Sequence, residues 1–172
     1  MSKRKIFGFT LIEIMLSIGV AAILLAISTI SWRRVILNRT LDTAINEVEA
    51  ALNLASQTAK STNGDAHIEF TAPSDANGDG SWQVYKEGNT MTSSGKISPK
   101  LWLKINPDAT SIYYNAAGGI DTSKNQVNSK TTDGVTTKYV TVSIGVQSVG
   151  KQTDLNVDAT TGSVQKIVEV SN

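Results

Sequence analysis

Residues 8–30 read GFTLIEIMLSIGVAAILLAISTI, and a basic cluster, Lys3-Arg4-Lys5, stands just before them. The stretch from Phe9 to Ile30 carries a single charge, Glu13. As an α-helix it would be about 33 Å long, enough to cross the hydrocarbon core of a bilayer. The basic cluster predicts a cytoplasmic N-terminus, because lysine and arginine next to a spanning helix are retained on that side. The sequence therefore predicts a membrane-inserted helix at the start of the chain.

Glu13 is the feature that ordinary export segments do not explain. A secretory signal peptide cleaved near Ala26-Ile27-Ser28, or an uncleaved signal anchor, would account for the apolar run alone. Neither accounts for the acid, because a carboxylate within hydrocarbon costs about 2.5–3.5 kcal/mol on insertion scales. Ionisable residues at such depths are functional candidates by default. We therefore predict a functional role for Glu13.

The string Gly8-Phe9-Thr10-Leu11-Ile12-Glu13 resembles the prepilin signature of type IV pilins, type II secretion pseudopilins and competence pilins. The resemblance implies that a prepilin peptidase cuts between Gly8 and Phe9 on the cytoplasmic side and methylates Phe9. The mature chain would then run from Phe9 to Asn172 and keep its apolar helix. The resemblance also implies an assembly contact in which Glu13 of one subunit meets the Phe9 amine of another.

Periodicity predicts that the helix continues well beyond the apolar run. Residues recurring at spacings of four and three form one apolar face: Leu41, Ile45, Val48, Leu52 and Ala55. The helix is predicted to end near Thr62, with Gly64 as the stop. A break into two helices near Ser31-Trp32 is the alternative. Related helices often carry a glycine and a proline near the positions of Ala22 and Ile30, where they unwind on assembly. This sequence has Gly19 instead and no proline before Pro73, so unwinding of this segment is left open.

Downstream, short apolar or alternating segments are separated by turn residues, which is typical of β-strands. The predicted strands are His67–Thr71, Trp82–Tyr85, 101–105, Ser111–Tyr114, Lys138–Ile144, Thr153–Val157 and Val164–Val170. Asp158–Gly162 is predicted to be a tight hairpin connection, and Gly118-Gly119 a turn. The segment Asp121–Gly134, rich in Asn, Ser, Thr and Lys, is predicted to be a mobile surface loop. The predicted organisation is a leader (1–8), a spine helix (9–62, transmembrane over 9–30) and a β-rich head (63–172).

Three segments of the head resemble H-type pseudopilins and FimT-like minor pilins: Gly80–Tyr85, Ile112–Gly118 and Leu155–Val164. The resemblance implies an α+β pilin fold, in which a long N-terminal spine helix packs on an antiparallel β-sheet head. In FimT-like proteins, basic residues near the C-terminus help to bind DNA. The segment Gln165–Asn172 holds one lysine and one glutamate, so nucleic acid is not an expected partner.

Composition narrows the chemistry that the chain can perform. The chain has no cysteine, which excludes disulfides and thiolate metal sites. Its single histidine, His67, makes a histidine metal centre or a catalytic triad a poor explanation of its function. From Lys60 onward there are ten lysines, no arginine and eleven acids, unlike a strong nucleic-acid binder. We find no convincing set of catalytic residues and predict that the protein is not an enzyme.

One metal site remains a candidate. Asp75, Asn77, Asp79 and Gly80 match the first half of a calcium loop, D-x-[DN]-x-[DN]-G. The twelfth position is Lys86, where an EF-hand has a bidentate glutamate, so a metal-free turn is the alternative. Some pseudopilins use calcium to fix a loop, as the family resemblance implies. No other cofactor is expected.

The resemblance implies a structural subunit of a type IV pilus or pilus-like filament. The precursor would cross the inner membrane once, and the mature chain would join a homo- or heteropolymer outside the cytoplasm or at the cell surface. The implied partners are the prepilin peptidase, an inner-membrane assembly platform and other pilin subunits. Two alternatives stay open: a type II secretion pseudopilin, and a minor pilin for DNA uptake or adhesion.

Overall fold

A computed structural model describes residues 9–73, 78–146 and 150–167, and for residues 27–31 the backbone alone. The chain divides into two compact units, Met1–Asn38 and Arg39–Asn172. Helix α1, Leu11–Thr62, begins in the first unit and ends in the second. It is assigned as a single helix, so the alternative of a break near Ser31-Trp32 is not found.

In the second unit, α1 buries one face in the core. The predicted apolar stripe is confirmed, since all five of its residues are fully buried, and three alanines extend it: Ala44, Ala51 and Ala59. Each large aliphatic side chain removed from water in this way contributes about 1.5–3 kcal/mol. The stripe therefore fixes α1 to the rest of the second unit.

The C-terminus of α1 closes in a Schellman motif. The Asn63 N–H donates to the Lys60 carbonyl (3.3 Å), and the Gly64 N–H donates to the Ala59 carbonyl (3.2 Å). The left-handed residue is Asn63, with φ 48°, and not the glycine. The prediction of Gly64 as the stop was thus one residue late, because asparagine tolerates the left-handed region better than most residues.

The described chain forms nine strands in two antiparallel sheets, where the sequence predicted one. The strands are β1 Ala66–Thr71, β2 Gly80–Lys86, β3 Thr90–Ile97, β4 Leu101–Asn106, β5 Ser111–Tyr114, β6 Asn128–Thr132, β7 Val135–Val146, β8 Gln152–Asp158 and β9 Val164–Ile167. One sheet has the order β3-β2-β1-β5. The other has the order β4-β7-β8-β9, with β6 also paired to β7. The α+β class, a long N-terminal helix with antiparallel sheets, is confirmed.

Two hairpins correct the sequence prediction. Asn128–Thr132, inside the predicted mobile loop, is strand β6 and pairs with β7 through a turn at Asp133 (φ 52°) and Gly134 (φ 78°). Strand β3 was also missed, and it pairs with β2 through Gly88 (φ 78°) and Asn89 (φ 56°). Positive φ at both central residues is what a tight two-residue hairpin turn requires. Both strands are largely exposed and polar, so neither shows an apolar alternation.

The predicted hairpin between the last two strands is confirmed. Strands β8 and β9 pair in antiparallel register, and the Gly162 N–H donates to the Asp158 carbonyl at 2.9 Å. Along β8, buried and half-buried positions alternate, which places Thr153, Leu155 and Val157 in the core. Residues 168–170, the end of the predicted last strand, lie outside the described residues.

Candidate assembly site at the start of the N-terminal helix

Helix α1 begins with a capping box formed by Thr10 and Glu13. The Glu13 N–H donates to the Thr10 hydroxyl oxygen (3.3 Å), and the Thr10 N–H donates to Oε2 of Glu13 (3.2 Å). The Thr10 hydroxyl also donates to the same carboxylate oxygen at 3.2 Å. The reciprocal bonds satisfy two backbone donors that a helix start otherwise leaves free. Glu13 therefore stabilises the first turn of its own helix.

Sequence reasoning missed this local role of Glu13. It treated the acid as an isolated charge in an apolar run. The signal was present, because Thr10-Leu11-Ile12-Glu13 has the Ser/Thr-x-x-Glu spacing of a capping box directly before an apolar segment. The same six-residue string therefore contains both a processing signature and a helix start.

Apolar side chains cover the first unit's helix on every side. The large residues between Leu11 and Leu25 are 49–78% exposed: Leu11, Ile12, Ile14, Met15, Leu16, Ile18, Val20, Ile23, Leu24 and Leu25. The Ser17 hydroxyl donates to the Glu13 carbonyl at 2.8 Å, so this polar group is satisfied within the helix. A helix that is apolar all round needs lipid or other helices as its surroundings.

Among the residues that the structure describes, no helix is both long and apolar enough to span a membrane.

The other predicted processing and assembly residues are placed as follows. Gly8 lies outside the described residues. Phe9 directly precedes the Thr10 cap, lies outside the helix and is 82% exposed. Glu13 lies in the first helical turn. Cleavage after Gly8 and the contact between Phe9 and Glu13 of different subunits remain predictions.

The candidate calcium loop is described only in part. Asp75 and Asn77 lie outside the described residues. Asp79 is described, and one of its carboxylate oxygens lies 3.7 Å from the Lys96 ammonium. Across the described ranges, no three acidic or histidine side chains are grouped to hold a metal ion. The calcium site remains a prediction, and Lys96 would compete with a cation for Asp79.

Comparison with known proteins gives two results for this chain. A family model of the prokaryotic N-terminal methylation motif matches residues 3–29, the segment that holds Gly8, Phe9 and Glu13. Among solved structures, the type IV minor pilin FimU of Pseudomonas aeruginosa PAO1 matches in two crystal forms, each at 14% identity. One match has a TM-score of 0.53 and covers 77% of this chain and 90% of FimU. The other has a TM-score of 0.51 and covers 74% and 92%.

The chain carries a prokaryotic N-terminal methylation motif and has a fold like that of a type IV minor pilin. The two findings rest on different parts of the chain, since the motif lies in the first 29 residues and the fold match covers 77% of the chain. The comparison with curated proteins found no match. At 14% identity the likeness to FimU is one of fold alone.

Proposed function

We propose that this pilin-like chain is a structural subunit of a type IV pilus or pilus-like filament. Residues 9–30 would hold the precursor in the inner membrane until the chain polymerises through the same helix. The observation that carries the proposal is the exposed apolar surface from Leu11 to Leu25, which directly follows the capping box. Lipid before assembly and sister helices after assembly would each cover this surface.

The geometry of Glu13 fits a contact with a second subunit. Both hydrogen bonds from Thr10 end on Oε2 of Glu13. Among the described residues, Oε1 has no hydrogen-bond partner, so it is available to accept a bond from outside the chain. Cleavage after Gly8 would create an ammonium group at Phe9. We expect that group on an incoming subunit to bind Oε1 of an assembled one.

The energetics favour this pairing in the filament over isolation in the membrane. A carboxylate surrounded by lipid is unfavourable, and the two bonds from Thr10 offset only part of that cost. An ammonium partner adds a charge-assisted hydrogen bond in surroundings of low dielectric constant. A subunit docked out of register would leave both charges unpaired, which is strongly unfavourable. The pair would therefore select the correct axial register.

Sheared surface filaments test the proposed role. The account predicts that the chain is recovered in the filament fraction, where a dominant band means a major subunit and a trace means a minor one. A pseudopilin would instead be absent from surface filaments, and its deletion would stop exoprotein release. A DNA-uptake subunit would be required for transformation. A chain that remains uncleaved in the cytosol contradicts the proposal.

A further inference from the structure

A groove of mixed polar and apolar character lies on the five-stranded sheet. Its volume is about 310 Å³, and its lining comes from β6, β7, β8 and β9, including Lys130, Thr137, Tyr139, Asn156, Asp158 and Gln165. Strand register brings these residues together in cross-strand pairs: Lys130 faces Thr137, Tyr139 faces Asp158, and Asn156 faces Gln165. The groove contains none of the residues of the assembly site, so the filament role leaves it unexplained.

Two of the groove side chains are held in fixed orientations. The Thr141 hydroxyl donates to Oδ1 of Asn156 at 2.7 Å, and this bond does not engage the Asn156 amino group, which can donate to a ligand. Oδ1 of Asp158 accepts hydrogen bonds from the Thr160 N–H (3.0 Å), the Thr161 N–H (2.8 Å) and the Thr161 hydroxyl (2.9 Å). None of these three bonds uses Oδ2 of Asp158, which can accept a hydrogen bond from a ligand. Polar groups fixed in this way lose little side-chain entropy when they bind a ligand.

The charge and polarity of the lining narrow the class of ligand. Lys130 and Asp158 carry opposite charges, so the groove has no excess of either sign and does not favour a polyanion such as nucleic acid. The lining exposes polar and apolar groups in about equal share, with Tyr139 and Ile167 beside hydroxyl, amide and carboxylate groups, which disfavours a purely apolar ligand. What they match is a neutral molecule with many hydroxyl groups, because each hydroxyl both donates and accepts hydrogen bonds.

We propose that the groove binds one or two sugar units of a neutral glycan. The amides of Asn156 and Gln165 and the free oxygen of Asp158 would pair with adjacent sugar hydroxyls. The Tyr139 ring would pack against the apolar face of the sugar. The volume lies at the lower end of the range for small-molecule sites, about 300–1,000 Å³. The filament would then carry a saccharide-binding site on each copy of this subunit.

Saturation-transfer NMR and calorimetric titration test the proposal on the full mature chain, in a detergent without a sugar headgroup. The probes are maltotetraose, chitotetraose and mannotetraose at millimolar concentration. We expect at least one to bind saturably. The double variant N156A/Q165A should bind at least about tenfold more weakly, because it loses the bonds that both amides supply.

Two further variants keep this test decisive. Gln165 is exposed, so Q165A alone should fold normally and still weaken binding. The matched control S94A/K100A changes two exposed residues elsewhere and should bind like the unchanged chain. All variants should enter filaments at normal levels, which separates this proposal from the filament role. If no probe binds the unchanged chain, or if N156A/Q165A binds as tightly, the groove is not a saccharide site.

Discussion

The hydroxyl of Ser56, on helix α1, donates a 2.7 Å hydrogen bond to the carbonyl oxygen of Gly118. Ser56 is 4% exposed, and Gly118 follows β5 of the four-stranded sheet. Gly162, in the β8–β9 hairpin of the other sheet, packs on the same pair. A Cβ atom added to Gly162 would collide with the Gly118 oxygen and lie 2.7 Å from the Ser56 hydroxyl. One buried contact therefore joins the helix and both sheets.

This contact predicts a large effect of Gly162→Ala. Gly162 has φ 69°, where a Cβ costs about 1–2 kcal/mol, and the collision with backbone adds about 1–3 kcal/mol of overpacking. We expect a total loss of about 2–5 kcal/mol in the free energy of unfolding. Urea denaturation of the mature chain followed by tryptophan fluorescence measures it.

Gly134→Ala is the matched control for that substitution. Gly134 also has a positive φ, 78°, but nothing lies within 4 Å of an added Cβ. It should therefore show the backbone cost alone, about 1–2 kcal/mol. Ser56→Ala, which loses the hydrogen bond and leaves a buried carbonyl, should cost about 1–3 kcal/mol. If G162A and G134A lose the same free energy of unfolding, the contact of Gly162 with Ser56 and Gly118 does not hold the sheets to the helix.

The contrast between α1 and β6 shows which parts of the fold were predictable. Helix α1 has a strong apolar period, because one face must be buried along its whole upper half, and all five stripe residues were identified. Strand β6 is held by backbone pairing to β7 and buries little, so its side chains carry no period. Asp133-Gly134 was the remaining signal, a dipeptide typical of a two-residue hairpin. The polar composition of the segment favoured a loop, so strand β6 was missed.

The candidate sites also differ in how far they could be predicted from the sequence. Gly8, Phe9 and Glu13 were identifiable because the processing signature is contiguous in sequence. The groove was not identifiable, since Lys130, Asn156 and Gln165 become neighbours only through the register of four strands. The junction of Ser56, Gly118 and Gly162 is equally non-local, because 62 residues separate the hydrogen-bonded pair. Sequence reasoning could thus propose a site only where its residues are contiguous, and it could not propose those that pairing of distant strands creates.

Tyr114 gives a prediction about pH. Its side chain is fully buried, and its hydroxyl has no hydrogen-bond partner among the described residues. Burial raises the pKa of the Tyr114 hydroxyl well above its ordinary value near 10. Above pH 10 the unfolded chain loses this proton and the folded chain keeps it. Stability is therefore unaffected below pH 10 and falls above it, by up to about 1.4 kcal/mol per pH unit.

Tyr114→Phe removes this titration. At neutral pH we expect the variant to be as stable as the unchanged chain, or up to about 1 kcal/mol more stable, because no paired hydroxyl is lost. Between pH 10 and 11 its advantage should grow. Urea titrations at both pH values measure the difference. A loss of stability at neutral pH would show that the hydroxyl is satisfied, for example by a buried water.

Calcium binding at Asp75, Asn77 and Asp79 is tested by thermal unfolding. A ligand that binds the folded state alone adds about 2.7 kcal/mol at a hundredfold excess over its Kd. The mature chain should therefore melt at a higher temperature in millimolar calcium than in chelator. D75A and D79A should abolish the difference, and D108A, which changes an exposed acid elsewhere, should retain it. An unchanged melting temperature in calcium leaves the loop as an ordinary turn.

Glu13 and Thr10 should affect assembly differently. Glu13→Ala removes both the charge and the cap, so membrane levels should hold or rise while filament incorporation falls at least about tenfold. Thr10→Val keeps the charge but loses the cap, worth about 1 kcal/mol, so incorporation should fall about fivefold. Thr10→Ser retains the cap and should assemble normally. Membrane fractionation and sheared filaments from the same cultures measure both quantities, and normal incorporation of E13A would refute the proposed pairing.

Intact-mass analysis of the chain recovered from membranes and filaments is the most direct test of the pilin assignment. The methylation motif over residues 3–29 predicts a processed N-terminus, and Phe9 is exposed next to the capping box of Thr10 and Glu13. The account predicts a mass that begins at Phe9 and carries one added methyl group, with the methyl located on the Phe9 amine by fragmentation. A mass that retains Met1, or one that begins after Ser28, would contradict it.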